Sequence, residues 1–198
     1  MQRGQVAIVT VVVVGAVLVG SAFAIDSTAP PGSDSPRVGA DATRIDSCTT
    51  ITEPGAYVLT TDVENDKHTR LSESCIRIES DDVLFEGDGH VVDGRGISDT
   101  RGVTANGTNV TVRNVTVSDW DRGIYYRNVS GGTIEGVNAT ENGYGIDLDW
   151  SREVTIADSD VSGNVIGVDL MRSNDDVELE DNRLGGNHVA DVNRNETA

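Results

Sequence analysis

From Cys75 onward the chain alternates apolar and polar residues in short runs, pauses at Gly, Asn or Asp, and alternates again. Segments that begin at Gly102, Gly123, Gly145 and Gly167 repeat this design, spaced 21, 22 and 22 residues apart. A longer copy precedes them at Cys75, and a last one begins near Val189. Next to each leading glycine stand Val103, Ile124, Ile146 and Val168, and two positions later Ala105, Tyr126, Leu148 and Leu170. Val112, Ile134, Ile156 and Leu179 make another column, and Val117, Ala139, Val161 and Leu184 a fourth. Period-two alternation among β-branched residues predicts strands, and no run reaches helical length. Three short strands per repeat, with tight corners between them, describe one coil of an all-β solenoid. A single coil cannot bury its inner face. Stacking coils about 4.8 Å apart pairs the strands in parallel and encloses a dry interior.

The corners carry their own signal. Asn142, Asn164 and Asn187 recur at the bend before the next copy. Asn tolerates a left-handed backbone, and its amide can bond the equivalent amide one coil away, so these residues predict a structural ladder. Trp120 takes the ladder position in its own copy. Asn114, Gly136, Asp158 and Asp181 mark a second corner in the same way.

Composition changes the picture in two respects. Thirty-three Asp and Glu against 15 Lys and Arg give a net charge of -18, which makes a nucleic-acid partner a poor expectation. Aromatic residues are only 4%, so the interior must be filled by small aliphatic side chains. Carboxylates spread over a surface with little lysine suit a protein hydrated in high salt; a face made for a cationic partner is the competing reading.

The N-terminus points to export. Val6 to Ile25 is uncharged and mostly apolar, Arg3 precedes it, and Ala22-Phe23-Ala24 forms a small-x-small cleavage pattern. Residues 1–24 are therefore expected to be a signal peptide or, with 6–25 retained, a membrane tether; either sends the remainder outward. Residues 25–44, rich in Pro, Ser and Asp, read as a linker. In an oxidising compartment Cys48 and Cys75 read as one disulfide, with two buried free thiols as the alternative.

The opening CTTITEPGAYVLTTDV, the CIRI and DDVLFEGDGHVVDG segments, and repeats of the form GIxL…VTIxxxxVxxN together resemble the right-handed parallel β-helix proteins of the pectin-lyase-like superfamily. The similarity is strongest to the exported branch grouped with the copper-maturation β-helix protein of nitrous oxide reductase, and it covers about residues 45 to 193. It implies a short single-stranded right-handed parallel β-helix over 75–193, about five coils long. Residues 45–74 would form an N-terminal capping segment that hides the first edge, pinned by Cys48 to Cys75, and 194–198 a tail.

Counting from the leading glycines places Thr104, Tyr125, Asp147, Asp169 and Asp191 in one outward column, and Asn106, Arg127, Asp149, Met171 and Asn193 in a second. Asp147, Asp149, Asp169 and Asp191, flanked by Tyr125 and Arg127, would then form a carboxylate patch, solvated or used for binding. Oxygen clusters suit Ca²⁺, with Asp147 and Asp169 as the candidate ligands, and no other cofactor is expected. The leading expectation is a non-catalytic, exported cell-surface protein presenting an acidic outer sheet to a glycan, cation or partner. The alternative, which the resemblance implies, is a polysaccharide lyase or glycoside hydrolase using Asp147, Asp149, Asp169 and Arg127. Copper is disfavoured, because Met171, His68, His90 and His188 are scattered along the repeat. Six N-x-S/T sequons occur at Asn106, Asn109, Asn114, Asn128, Asn138 and Asn195, and Asn106 and Asn128 are the better-placed glycosylation candidates. After Val192 no apolar cap is evident, which predicts fraying or self-association at that edge.

Overall fold

The computed structural model describes residues 39, 41–64, 73–172 and 174–194. The expected leader and tether, His68 and Asn195 lie outside the described residues, as do most of the linker, nearly all of the tail and the side chain of Met171. Among the described residues there is no helix, and none is long and apolar enough to cross a membrane.

The chain winds as a parallel β-solenoid of about six turns, with about 23 residues per turn. One sheet stacks Thr43–Ile45, Gly55–Leu59, Val83–Glu86, Val110–Arg113, Ser130–Glu135, Arg152–Ala157 and Asp175–Glu180 in that order. The other, called here the long sheet, stacks Thr49–Ile51, Ser74–Ile78, Val91–Ala105, Thr116–Arg127, Tyr144–Asp149, Ile166–Arg172 and Ala190–Arg194. A third track runs beside them: Val63 pairs with Val92, and Val117 pairs with both Val92 and Ala139. On this track two strands run straight on into the long sheet, so Val91–Ala105 and Thr116–Arg127 each cover two faces of their coil.

Register confirms the apolar columns. Val103 lies opposite Ile124, Ile124 opposite Ile146, and Ile146 opposite Val168. These side chains are fully buried, as are Val112, Ile134 and Ile156 on the facing sheet. Among the described residues three rings, Phe85, Trp120 and Tyr126, are buried in that interior. The coils are less uniform than the repeat predicts. Val83 pairs with Val110, 27 residues on, whereas Val168 pairs with Val192, 24 on.

The asparagine ladder forms as expected. Asn142 N–H donates to Asn164 Oδ1 at 2.9 Å, and Asn164 N–H donates to Asn187 Oδ1 at 3.0 Å. At the N-terminal end of the ladder Trp120 N–H donates to Asn142 Oδ1, while its indole N–H donates to the Val92 carbonyl. The other two corners carry shorter ladders that the repeat did not reveal. Ser151 and Ser159 hydroxyls accept from Val129 and Val137 N–H, and the Ser151 and Ser159 N–H groups donate to Asn174 and Asn182. At the second predicted corner Asn114, Gly136, Asp158 and Asp181 all have φ between 48° and 59°, the left-handed region that these residue types tolerate.

Cys48 and Cys75 are bonded, S–S 2.04 Å, and tie the residue before Thr49–Ile51 to its partner strand Ser74–Ile78. Cross-linking a loop of that length removes unfolded-chain entropy worth about 3.5 kcal/mol on the loop-closure model.

Candidate functional site

The outer face of the long sheet owes its layout to the leading glycines. A Cβ at Gly102, Gly123 or Gly145 would lie 2.7–2.8 Å from the carbonyl oxygen of the equivalent glycine one coil on, and at Gly123 and Gly145 also against the ladder asparagines. Each glycine therefore faces inward, and so does the buried residue after it. Two successive inward positions break the strand alternation. As a result the residue before the glycine faces out, so Arg101, Arg122 and Tyr144, stacked opposite one another in the register, form an outer column.

That column meets the aspartates. Arg122 Nε donates to Asp147 Oδ2 at 2.6 Å and Arg122 Nη1 to Asp121 Oδ2 at 2.7 Å. Tyr125 Oη donates to Asp149 Oδ2 at 2.7 Å. The rings carry guanidinium groups: Arg101 and Arg122 lie 5.1 and 5.5 Å from the Tyr125 centroid, and Arg122 lies 5.4 Å from that of Tyr144. Arg127 lies 5.9 Å from the Trp150 ring, which is 46% exposed. Long side chains from one coil thus lie over carboxylates of the next, leaving Asp147 5% and Asp149 6% exposed.

Burial pushes the Asp147 carboxyl up to about 6; its bond and charge interaction with Arg122 pull the other way, and the nearby Asp149 and Asp169 add to the rise. Burial, followed by the bond to Asp149, likewise pushes the Tyr125 hydroxyl up to about 12, so it stays a donor at any physiological pH. For Arg122 burial works against the charge, but Asp147 and Asp121 outweigh it and hold the guanidinium above its ordinary value.

Four expectations need correction. Asp147 and Asp149 do not make a solvated acidic patch; they are buried under Arg122 and Tyr125 because the glycine phase shift brings the arginine column over them. The basic partner is Arg122; Arg127, expected in that role, packs on Trp150. Asp191 is not in the column, because the last coil is longer: Asp169 pairs with Asn193, whose amide donates to it at 3.0 Å. Asp191 Oδ1 instead accepts from Asn187 Nδ2, ending the asparagine ladder. Finally, Ca²⁺ at Asp147 and Asp169 has no support, since the two carboxylates bond Arg122 and Asn193, and no cation-holding cluster exists among the described residues. Among the sequons Asn106 and Asn128 are both exposed, as are Asn109, Asn114 and Asn138.

Beside the network, towards the N-terminal end, an open groove of 230 Å³ runs across Ser74–Ile78, Val91–Ala105 and Thr116–Arg127. Arg77, Arg101, Thr104, Asn106, Tyr125 and Arg127 line it, with Glu79. Arg77 lies one coil before the copies from which the outward columns were counted, and Arg101, like Arg122, lies on the far side of a leading glycine. Extending the count backward would have found Arg77, opposite Thr104 in the register.

Residues 61–197 match the family model described as periplasmic copper-binding protein, NosD. The chain belongs to the NosD family. No curated protein and no solved structure matches it. The family's periplasmic description agrees with the exported N-terminus read from the sequence. Its copper description sets a requirement on the donors of this NosD-family chain. Copper needs imidazole or soft sulfur ligands gathered in one shell. Cys48 and Cys75 form a disulfide and offer no thiolate. His90 Nδ1 lies 3.0 Å from Asp62, while His188 sits in the last coil, its N–H bonded to the Asn164 carbonyl. Among the described residues no three His, Cys, Asp or Glu side chains converge to hold a metal, so these residues do not fit a copper centre.

Proposed function

We propose that this NosD-family chain is a non-catalytic, exported binding scaffold that holds a glycan on the outer face of its long sheet. One observation carries the reading: Asp147 and Asp149, the acids a hydrolase or lyase would need, are buried and bonded to Arg122 and Tyr125, while an open polar groove lies beside them. Glycoside hydrolysis needs one carboxyl to deliver a proton to the leaving oxygen and another to reach water or the sugar, and both must be accessible. Here both are engaged within the protein. The groove instead offers hydroxyl, amide, guanidinium and carboxylate groups on a rigid stack, the pattern that orients a polar ligand without reacting with it.

The test is a glycan panel probed with the whole exported chain, by surface binding and in parallel by assays for new reducing ends and unsaturated products. Saturable binding without turnover is the expected result. Turnover that disappears in Asp147→Asn would overturn the non-catalytic reading, and absence of binding across the panel would overturn the glycan reading.

A further inference from the structure

The groove has a charge that the protein as a whole does not. The chain carries 15 cationic side chains against 33 acids, yet Arg77, Arg101 and Arg127 reach this one depression from three successive coils. Arg122 lies against the same Tyr125 ring. Glu79 is the one carboxylate lining the groove, 3.4 Å from Arg77 with both side chains exposed, so it screens that charge only weakly. Arg101 is matched closely by Asp99 at 3.0 Å, as Arg113 is by Glu86 at 2.7 Å and Arg183 by Asp160 at 2.5 Å, so the charge the groove offers a ligand is chiefly that of Arg77 and Arg127. The surrounding acidity does not cancel the local charge, since beyond about 10 Å in 0.1 M salt the distant carboxylates are largely screened.

The aromatic residues prepare the guanidinium groups. Tyr125 carries Arg101, and Trp150 carries Arg127. A cation stacked on a ring is held through its charge, which leaves the N–H edge of the Arg127 plane to serve a ligand. The planar fork of a guanidinium matches the two oxygens of a carboxylate or sulfate, and such charged bonds are roughly twice as strong as neutral ones. With guanidinium groups already lying over both rings, stacking a neutral sugar on them is the poorer use of this surface.

We propose that the groove recognises an anionic group, carboxylate or sulfate, carried by a saccharide, so that the glycan ligand is acidic. This deepens the glycan-binding reading and rests on it. Ser74, Thr104 and Asn106, which line the same groove, would bond the sugar hydroxyls around the anion.

Calorimetry on the whole exported chain would compare a uronic-acid oligosaccharide and a sulfated one with a neutral glucan of equal length, and with sodium glucuronate and sodium sulfate alone. The acidic oligomers are expected to bind at least tenfold more tightly than the neutral one. Arg77→Gln combined with Arg127→Gln should lose at least tenfold, and Arg183→Gln, on an exposed pair elsewhere, should change nothing. In the unsubstituted chain an acidic oligomer should shield Arg77 and Arg127 from phenylglyoxal, read by mass spectrometry. This keeps the proposal testable if the double variant misfolds. Equal affinity for the neutral oligomer, or no shielding, overturns the anion proposal and leaves glycan binding standing. Free anions binding as tightly as the oligomers overturn the saccharide part. No binding of any oligomer sinks both readings.

Discussion

The asparagine ladder at one corner and the arginine–aspartate network on the long sheet both stack polar side chains along the coils, but they solve the burial problem differently. The ladder repeats one neutral residue: each amide accepts from the N–H of the coil before it and donates to a carbonyl, as Asn164 does to Ala139 at 2.8 Å. Its buried amides are answered by neighbouring amides and backbone groups, so no buried charge is desolvated. The network mixes arginine, tyrosine and aspartate from coil to coil and neutralises charge with charge, Arg122 with Asp147. A buried ion pair of this kind adds little net stability, because the desolvation cost offsets most of the attraction. The ladder is therefore a device of stability, whereas the network organises a surface. If this division holds, substitutions in the ladder should cost more than those in the network, and only the network should respond to pH.

The largest effect is expected at Asn164, which has no exposed surface. Asn164→Ala strips the partner from Asn142 N–H and from the Ala139 carbonyl and leaves a void between coils. Two orphaned backbone groups and a small cavity should cost about 4 kcal/mol, read as a shift in urea midpoint at unchanged slope. A change under about 1 kcal/mol would mean that water or a neighbour replaces the amide, and the ladder would lose its special standing.

Gly145→Ala comes next. The added methyl would lie 2.6 Å from Val161 Cγ1, 2.7 Å from Asn164 Nδ2 and 2.8 Å from the Gly167 carbonyl, so the ladder or the coil spacing must give way. Overpacking of that order costs about 3 kcal/mol. Gly185→Ala, where a Cβ meets nothing within 4 Å, is the matched control and should be neutral in the same melt.

These two predictions bear on how much could be read from the chain before folding. A ladder announces itself because one residue type returns at one spacing, and the inner columns do so for the same reason. The outer network has no such return. Tyr125, Asp147, Asp149 and Asp169 were placed on the correct face by alternation, but Arg122 sits on the far side of a glycine where alternation slips by one position. The sterics that make Gly123 obligatory, a carbonyl one coil away, depend on a contact 22 residues distant and have no local signature. Asp191 was misplaced for the complementary reason: the last coil is longer, and counting by 22 carries the tally past the true neighbour of Asp169, which is Asn193. The family's copper description has no counterpart in the described residues at all.

The pH response separates the two assemblies directly. Asp147 is held at about 6 in the fold against 3.8 when free, so between those values the folded state binds more protons than the unfolded. Its contribution to stability therefore rises as pH falls from 7 to 4, by about 2 kcal/mol, the reverse of ordinary acid lability. Asp62, held below its usual value by the Val91 N–H and then His90, works in the opposite sense, but only as pH falls below 3.8. Urea midpoints across pH 4 to 7 should show the rise in the parent and lose it in Asp147→Asn. A parent curve with no rise, or one unchanged by Asp147→Asn, would remove Asp147 as its source. Asn164→Ala should lower the whole curve without changing its shape, since no ladder amide titrates.

The smallest effect belongs to Tyr125, and it tests whether the network behaves as a surface device. Tyr125→Phe keeps the ring on which Arg101 and Arg122 lie and removes the hydroxyl that donates to Asp149 at 2.7 Å. Tyr125 is half-buried at the sheet surface, so one lost bond to a carboxylate should cost about 1 kcal/mol, well below the ladder variants. Because the Tyr125 hydroxyl titrates only near 12, that cost should be constant from pH 5 to 9. Binding should report more than stability does: the ring still holds its guanidinium groups, so an arginine-lined groove should keep its affinity for an acidic oligosaccharide. Tyr125→Ala, which takes the ring away as well, should weaken that affinity several-fold. If Phe and Ala behaved alike in binding, the rings would have no part in presenting the arginines, and the contrast between a ladder that stabilises and a network that presents would fail on its second half.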